Sequence, residues 1–252
     1  MVIETSDRGQ PVTSLTDDLQ PPGRLPLETV DRGTSLTDQV YARLRRGLLI
    51  GVWHPGQKIT ARKIARELGV SLTPAREAMM RLANESALDV SETRTYSAVS
   101  LTLEQYREIA RIRTALEPLA TQIATPLMDA PQIAELTRIN EALKETIRQE
   151  RFNEALQLDS EFHLTIYDRA ASPTLLGMID SLWLRAGPTR NRLSHSYRKR
   201  LVGYENHKKI IDALRGNDSQ AAHDAMMWDL KAGAETVMSV LAATETTGGE
   251  LT

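Results

Sequence analysis

Four side chains able to hold a cation stand at helical spacing in the second half of this chain: Asp159, His163, His207 and Asp229. Asp159 and His163 are four residues apart, so on a helix they share one face. That face is otherwise apolar, with Leu156, Phe162, Ile166 and Ala170. His207 leads a stripe of Ile211 and Leu214, and Asp229 falls among Met226, Leu230 and Val237. Carboxylates and imidazoles turned toward an apolar interior need partners, because an unpaired buried charge is costly. One divalent cation would serve all four. Two imidazoles with two carboxylates suit zinc, nickel, manganese or iron without choosing among them. An Asp159–His163 ion pair beside a hydrogen-bonded core histidine meets the same need.

The elements that must position these groups are helices. The periodicity predicts six, at roughly 102–128, 132–151, 153–171, 173–194, 199–216 and 218–243. Thr102, Asn153 and Asp218 are expected N-caps, and Ser172-Pro173 reads as a cap and first turn. Asp129-Ala130-Pro131 breaks the first helix from the second, and Gly216 ends the fifth. Six antiparallel helices with short joins imply a bundle. Trp183 and Trp228 are read as packing residues in it. Arg113 and Glu117, four residues apart, are a candidate ion pair beside the apolar stripe of Ile109, Ile112 and Leu116. Arg190, Asn191 and His195 are further polar candidates, for which a surface loop is the favoured reading.

The first half carries a different pattern. Leu36, Val40, Leu44 and Leu48 line one face of a helix that stops near Gly51, and Pro55-Gly56 is a turn. A second helix turns Ile64, Ala65 and Leu68 inward and ends at Gly69, which can adopt the left-handed conformation. Ser71 or Thr73 can cap a third, where Pro74 is tolerated in the first turn. Ala75, Ala78, Met79 and Leu82 form its buried stripe, leaving Thr73, Arg76 and Met80 outward. Two short helices joined by a tight glycine turn are a helix-turn-helix, whose second helix presents its start to base edges. Leu88 to Val99 then reads as a hairpin, a wing with Arg94 near its tip. Arg62, Lys63, Ser71, Leu72, Thr73, Arg76 and Arg94 are the expected DNA contacts.

Charge agrees. The chain holds 31 basic and 33 acidic residues, yet residues 36–100 hold ten basic against six acidic. A basic module on an acidic protein is the footprint of phosphate binding. The fold class is therefore mainly α: an N-terminal arm (1–34), a winged helix-turn-helix (35–101), a helical bundle domain (102–245) and a tail (246–252). Apolar content is 41% and aromatic content 4%, which suits helices. No apolar run nears the ~20 residues of a membrane span. The start has no signal-peptide pattern, and the absence of cysteine removes disulfides and thiolate ligands. A cytoplasmic protein is expected.

The stretch from Gln57-Lys58-Ile59 to Arg81-Leu82, with Gly69-Val70-Ser71, Thr73-Pro74 and Arg76-Glu77-Ala78, resembles the DNA-binding domain of GntR-type bacterial regulators. The resemblance implies that Arg62 and Arg76 read an operator. Leu72 stands where a third arginine is usual, and Thr95 where the wing usually has glycine. Glu161-Phe162-His163-Leu164, Ser172-Pro173, Glu205-Asn206-His207 and Asp218 with Ala222, Ala225 and Met226 resemble the FCD effector domain of the FadR subfamily, in its six-helix VanR-like branch. That implies a divalent metal on Asp159, His163 and His207, with Asp229 in place of a usual histidine. It also implies a small organic acid held nearby, with Arg113 beside the metal ligands. The expectation is a homodimer on an inverted-repeat operator, a repressor released by the acid. A metal-sensing regulator and a helical-bundle metalloenzyme are the alternatives. The latter lacks the paired Glu-x-x-His motifs of di-iron bundles at these positions, so no enzyme is expected.

Overall fold

The structure is a computed structural model describing residues 35–92, 95–193 and 199–248. The N-terminal arm, the wing tip with Arg94, and His195 lie outside the described residues. Helix α1 (Leu36–Leu49) starts at Ser35, whose hydroxyl accepts from the Asp38 amide at 3.1 Å. It buries Val40, Leu44, Leu48 and Leu49, while Leu36 is exposed. Helix α2 (Ala61–Leu68) is capped by Thr60 and ends on Gly69 at φ 65, the conformation glycine tolerates best. Leu68, expected inside, is 38% exposed, because the helix ends as the left-handed turn carries the chain away. Helix α3 (Leu72–Asn84) buries the expected Ala75, Ala78, Met79 and Leu82.

The wing is larger than expected. Strands β2 (Leu88–Val90) and β3 (Tyr96–Ala98) pair antiparallel, with Asp89 opposite Ser97. A further strand, β1 (Lys58–Ile59), pairs with the other edge of β3, giving the order β1-β3-β2. Two residues are too few for an alternating pattern, so β1 had no sequence signal.

The bundle comprises α4 (Leu103–Ala124), α5 (Ala130–Arg148), α6 (Phe152–Asp168), α7 (Pro173–Ala186), α8 (Val202–Arg215) and α9 (Ser219–Gly248). Capping boxes open α4 (Thr102 with Gln105) and α5 (Asp129 with Gln132). Asp218 accepts from the Ala221 amide at the start of α9. Helix α6 starts one turn-position earlier than expected, with Arg151 at its cap and no help from Asn153. Helix α7 stops at Ala186 instead of 194, since Pro188 has no amide to continue it; a 3-10 turn, Pro188–Arg192, follows.

The two domains share one core. Leu44, Leu48 and Leu49 of α1 belong to the same cluster as Ile179, Trp183 and Leu184 of α7. The approach is so close at Gly187 that a Cβ there would lie 2.1 Å from the Leu48 carbonyl oxygen. Arg45 of α1 pairs with Asp180 of α7.

Candidate metal centre and nucleic-acid interface

Helices α6, α8 and α9 bring the four expected side chains to one place. His163 Nε2 lies 3.3 Å from His207 Nε2 and 3.3 Å from Asp229 Oδ2. His207 Nε2 lies 3.7 Å from Asp159 Oδ1 and 3.9 Å from Asp229 Oδ2. Both histidines are buried, and Asp159 and Asp229 are mostly so.

The outer atoms of each group are fixed by a second set of residues. Asn140 donates through Nδ2 to the Tyr204 carbonyl at 3.1 Å, which orients its amide and turns Oδ1 toward His207. Asn140 Oδ1 therefore accepts from His207 Nδ1–H, at 3.1 Å. Tyr167 donates its hydroxyl to Glu117 Oε2 at 2.6 Å, leaving its oxygen to accept from His163 Nδ1–H at 3.1 Å. Asp229 Oδ1 accepts from Asn206 at 3.3 Å, and Asp159 Oδ2 accepts from Arg190. Phe162 stacks on the His207 ring at 3.9 Å, which holds its plane. With both Nδ1 atoms donating outward, Asp159, His163 and His207 each turn a ligand atom toward a common centre, all within 4.8 Å of one another, and Asp229 Oδ2 lies against both histidines. Such a set could hold a cation. Ligands about 2.0 Å from a tetrahedral zinc-sized ion are about 3.3 Å apart, the separation of His163 Nε2 from both His207 Nε2 and Asp229 Oδ2, while His207 stands 3.7 and 3.9 Å from the two carboxylates. This outer-shell arrangement is the kind that orients metal ligands.

Burial drives the His207 imidazole down to about 4, against the opposing pull of Asp229 and Asp159. Burial alone would raise both carboxyls. The Asp159 carboxyl is instead held below its ordinary value by Arg190, His163 and His207, and that of Asp229 by His163 and His207. The Tyr167 phenol is raised, first by burial and then by Glu117.

A cavity of about 130 Å³ opens beside this cluster. Arg113 points into the bundle, while Ile112, expected in the apolar stripe, is 41% exposed. Glu117 engages Arg113 through both oxygens, at 2.5 and 3.2 Å. Arg190, read from sequence as surface, is buried; it donates to Asp159 and, at 2.7 Å, to Ser160 Oγ. The guanidinium groups of Arg113 and Arg190 lie 4.6 and 4.9 Å from the Trp183 ring. Trp183 is buried as expected, but Trp228 is 69% exposed on α9. Sequence reasoning missed Asn140, Tyr167 and Arg190 as supports of the cluster. The 159-163-167 spacing was the available signal for Tyr167, and the apolar stripe of Leu136, Ile139 and Leu143 for Asn140.

On the first domain, Arg62, Leu72 and Arg76 line one groove with Met80 and the wing residues Thr95 and Tyr96. Arg62 and Arg76 are exposed, and Leu72 is half-buried. Lys63, Ser71 and Thr73 are exposed beside the groove, and Lys63 lies 3.8 Å from Glu67. Ser71 is exposed at the N-cap of α3 and makes no side-chain cap bond there, so the first amides of that helix have no helical partner. Tyr41 and Thr37 of α1 donate to Glu85 and Glu77 of α3, each at 2.7 Å, fixing the helix that carries Arg76.

Residues 36–94 match the gntR family of bacterial regulatory proteins, and residues 108–231 match the FCD domain. The chain is 31% identical to the HTH-type transcriptional regulator McbR of Escherichia coli K12, over 76% of this chain and 88% of McbR. The chain belongs to the GntR family. The solved structure of E. coli McbR/YncC superposes with a TM-score of 0.75 at 28% identity, covering 84% of this chain and all of that one. The gluconate operon transcriptional repressor of Bacillus subtilis is 28% identical over 71% of this chain and 76% of its own length. This GntR-family chain is accordingly a DNA-binding transcription regulator and not an enzyme, with a winged helix-turn-helix and an FCD helical domain. Among the described residues, no helix is long and apolar enough to cross a membrane.

Proposed function

We propose that this regulator is a homodimer that holds one divalent cation on Asp159, His163, His207 and Asp229. A small carboxylate entering the adjacent cavity releases it from an inverted-repeat operator. The convergence of Asp159, His163 and His207 on one buried point, with Asp229 against both histidines, carries this reading. The ligand set leaves zinc, nickel, manganese and iron open.

Charge supports an acid as the effector. Arg113 is neutralised by Glu117 and Arg190 by Asp159, so Asp229 leaves the site with one negative charge. That charge opposes an anion. A dication reverses the sign to one positive, and supplies a Lewis-acidic position for a carboxylate oxygen.

A route to the DNA domain is built into the contacts. Arg190 grips Asp159 and Ser160, and Ser160 Oγ lies 3.5 Å from the Leu49 carbonyl of α1. The next residue, Asn191, donates to the carbonyls of Gly51 and Trp53. A ligand that favours one arrangement of this turn shifts the DNA domains, provided it binds the two arrangements unequally. The dimer reading rests on the exposed apolar row Ile112, Leu119 and Ile123 of α4, beside α9 with its exposed Trp228. Binding to chromosomal DNA places the protein in the cytoplasm.

The test is a melting-temperature screen of metals and small acids on purified protein, with operator binding followed in parallel. Acid binding that needs the metal supports the reading. Operator binding that responds to the metal alone makes the protein a metal sensor instead.

A further inference from the structure

The cavity beside the cation cluster is two-faced. Its head carries Asp159, His163, Asp229, Arg113 and Arg190 around Trp183. Its remaining wall is built from Leu143 and Ile147 of α5, Leu156 of α6, Val202 of α8 and Val237 of α9. We infer that the effector is a monocarboxylic acid of about ten non-hydrogen atoms in all, apolar beyond its carboxylate. A polyhydroxylated or multiply charged acid does not fit. This inference rests on the reading of the bundle as an acid-binding site.

Size sets the first limit. A water needs roughly 10–15 Å³ of such space, so about 130 Å³ admits about ten atoms of ligand.

Hydrogen bonding sets the second. Arg113 is committed to Glu117, and Arg190 to Asp159 and Ser160. Tyr204 gives its hydroxyl to Glu141 at 2.7 Å and receives Lys144 at 3.1 Å. Tyr106 also lines the cavity, but most of the tail wall is leucine, isoleucine, valine and alanine, which offer a ligand hydroxyl no partner. Each hydroxyl buried without a partner costs roughly tenfold in affinity. At the head, the Trp183 ring lies 4.6 and 4.9 Å from the two guanidinium groups and 5.8 Å from the His163 ring.

Charge sets the third. With a dication the site is left with one positive charge, which one carboxylate cancels. A second carboxylate would be buried among aliphatic side chains unpaired.

Gly233 of α9 lines the cavity one turn beyond Asp229, and a Cβ there meets nothing within 4 Å. A larger side chain at this position fills ligand space without displacing protein atoms at its first carbon. Gly233→Leu therefore blocks the tail while leaving the four cation-binding groups in place.

The experiment is calorimetric titration of the full-length, zinc-loaded protein with phenylacetate, hexanoate, gluconate, citrate and the uncharged phenylacetamide. Phenylacetate or hexanoate should bind at least tenfold tighter than gluconate or citrate, and phenylacetamide should not bind. In Gly233→Leu, affinity for the apolar acids should fall at least tenfold with zinc content unchanged. Gluconate or citrate binding as tightly as the apolar acids overturns this inference but leaves the acid-effector reading standing. Equal phenylacetate affinity in Gly233→Leu with zinc retained also overturns it. Failure of every acid to bind zinc-loaded protein overturns both.

Discussion

Arg190 and Asn191 are neighbours in the chain, yet their side chains serve different domains. Arg190 bonds the Asp159 carboxylate inside the bundle, and Asn191 bonds the Gly51 and Trp53 carbonyls below α1. The 3-10 turn carries both, so a single peptide joins a side chain held by the cation cluster to one held by the DNA-binding module. Replacing Asn191 by Ala should leave cation and acid affinity unchanged but weaken the effect of the acid on operator binding by fivefold or more. A coupling of 1–3 kcal/mol is typical of such systems. Operator titrations with and without acid measure it, and an unchanged response would remove Asn191 from the route.

Arg76 is exposed in the groove between α3 and the wing. An arginine bonded to guanine O6 and N7 contributes about 1–3 kcal/mol of discrimination. Arg76→Ala should lower specific operator affinity tenfold or more, and a gel-shift assay against scrambled duplex reads this. The melting temperature should not move, because the side chain makes no buried contact.

Removing the cation should destabilise the bundle. A ligand present at a hundred times its dissociation constant adds about 2.7 kcal/mol to folding stability. Chelation should therefore lower the melting temperature by several degrees. Asp229→Ala should abolish that response, whereas Asp229→His should retain it, since imidazole is also a ligand. Atomic-absorption metal content checks both.

Metal-free protein should lose stability in mild acid through His207. Burial holds the folded imidazole at about 4, whereas the unfolded chain titrates near 6.5. Between these values the unfolded state binds the extra proton, so stability is full above pH 6.5 and falls as pH drops toward 4. Urea unfolding at pH 5 should give about 2 kcal/mol less than at pH 7. A flat profile in chelated protein would contradict the buried neutral imidazole.

Gly187→Ala tests the docking of the domains. Alanine is ordinarily favoured over glycine in helical backbone by up to ~1 kcal/mol. Here its Cβ would sit 2.1 Å from the Leu48 carbonyl oxygen, and backbone cannot yield as a side-chain end does. The clash should win, with a net loss of about 1–3 kcal/mol in urea unfolding.

Much of this was readable from residue order. Periodicity and caps located every long helix, because burying one face fixes a 3.6-residue repeat and the ends need Thr102, Asp129 or Asp218. The meeting of Asp159, His163 and His207 was readable because titratable groups recurred on apolar stripes. What failed depended on neighbours distant in sequence. Strand β1 exists because β3 offers it an edge, and Arg190 is buried because Pro188 ends α7 and turns the chain inward. Ile112 and Trp228 look like core residues by type, yet lie on the outer side of their helices.

The most direct test of the whole account is fluorescence anisotropy of an operator duplex, selected by the protein from a random pool, titrated with phenylacetate. With zinc bound, the acid should release the duplex. After chelation the same acid should have no effect. An anisotropy that responds equally with and without metal, or that responds to no acid in the zinc-loaded protein, would contradict it.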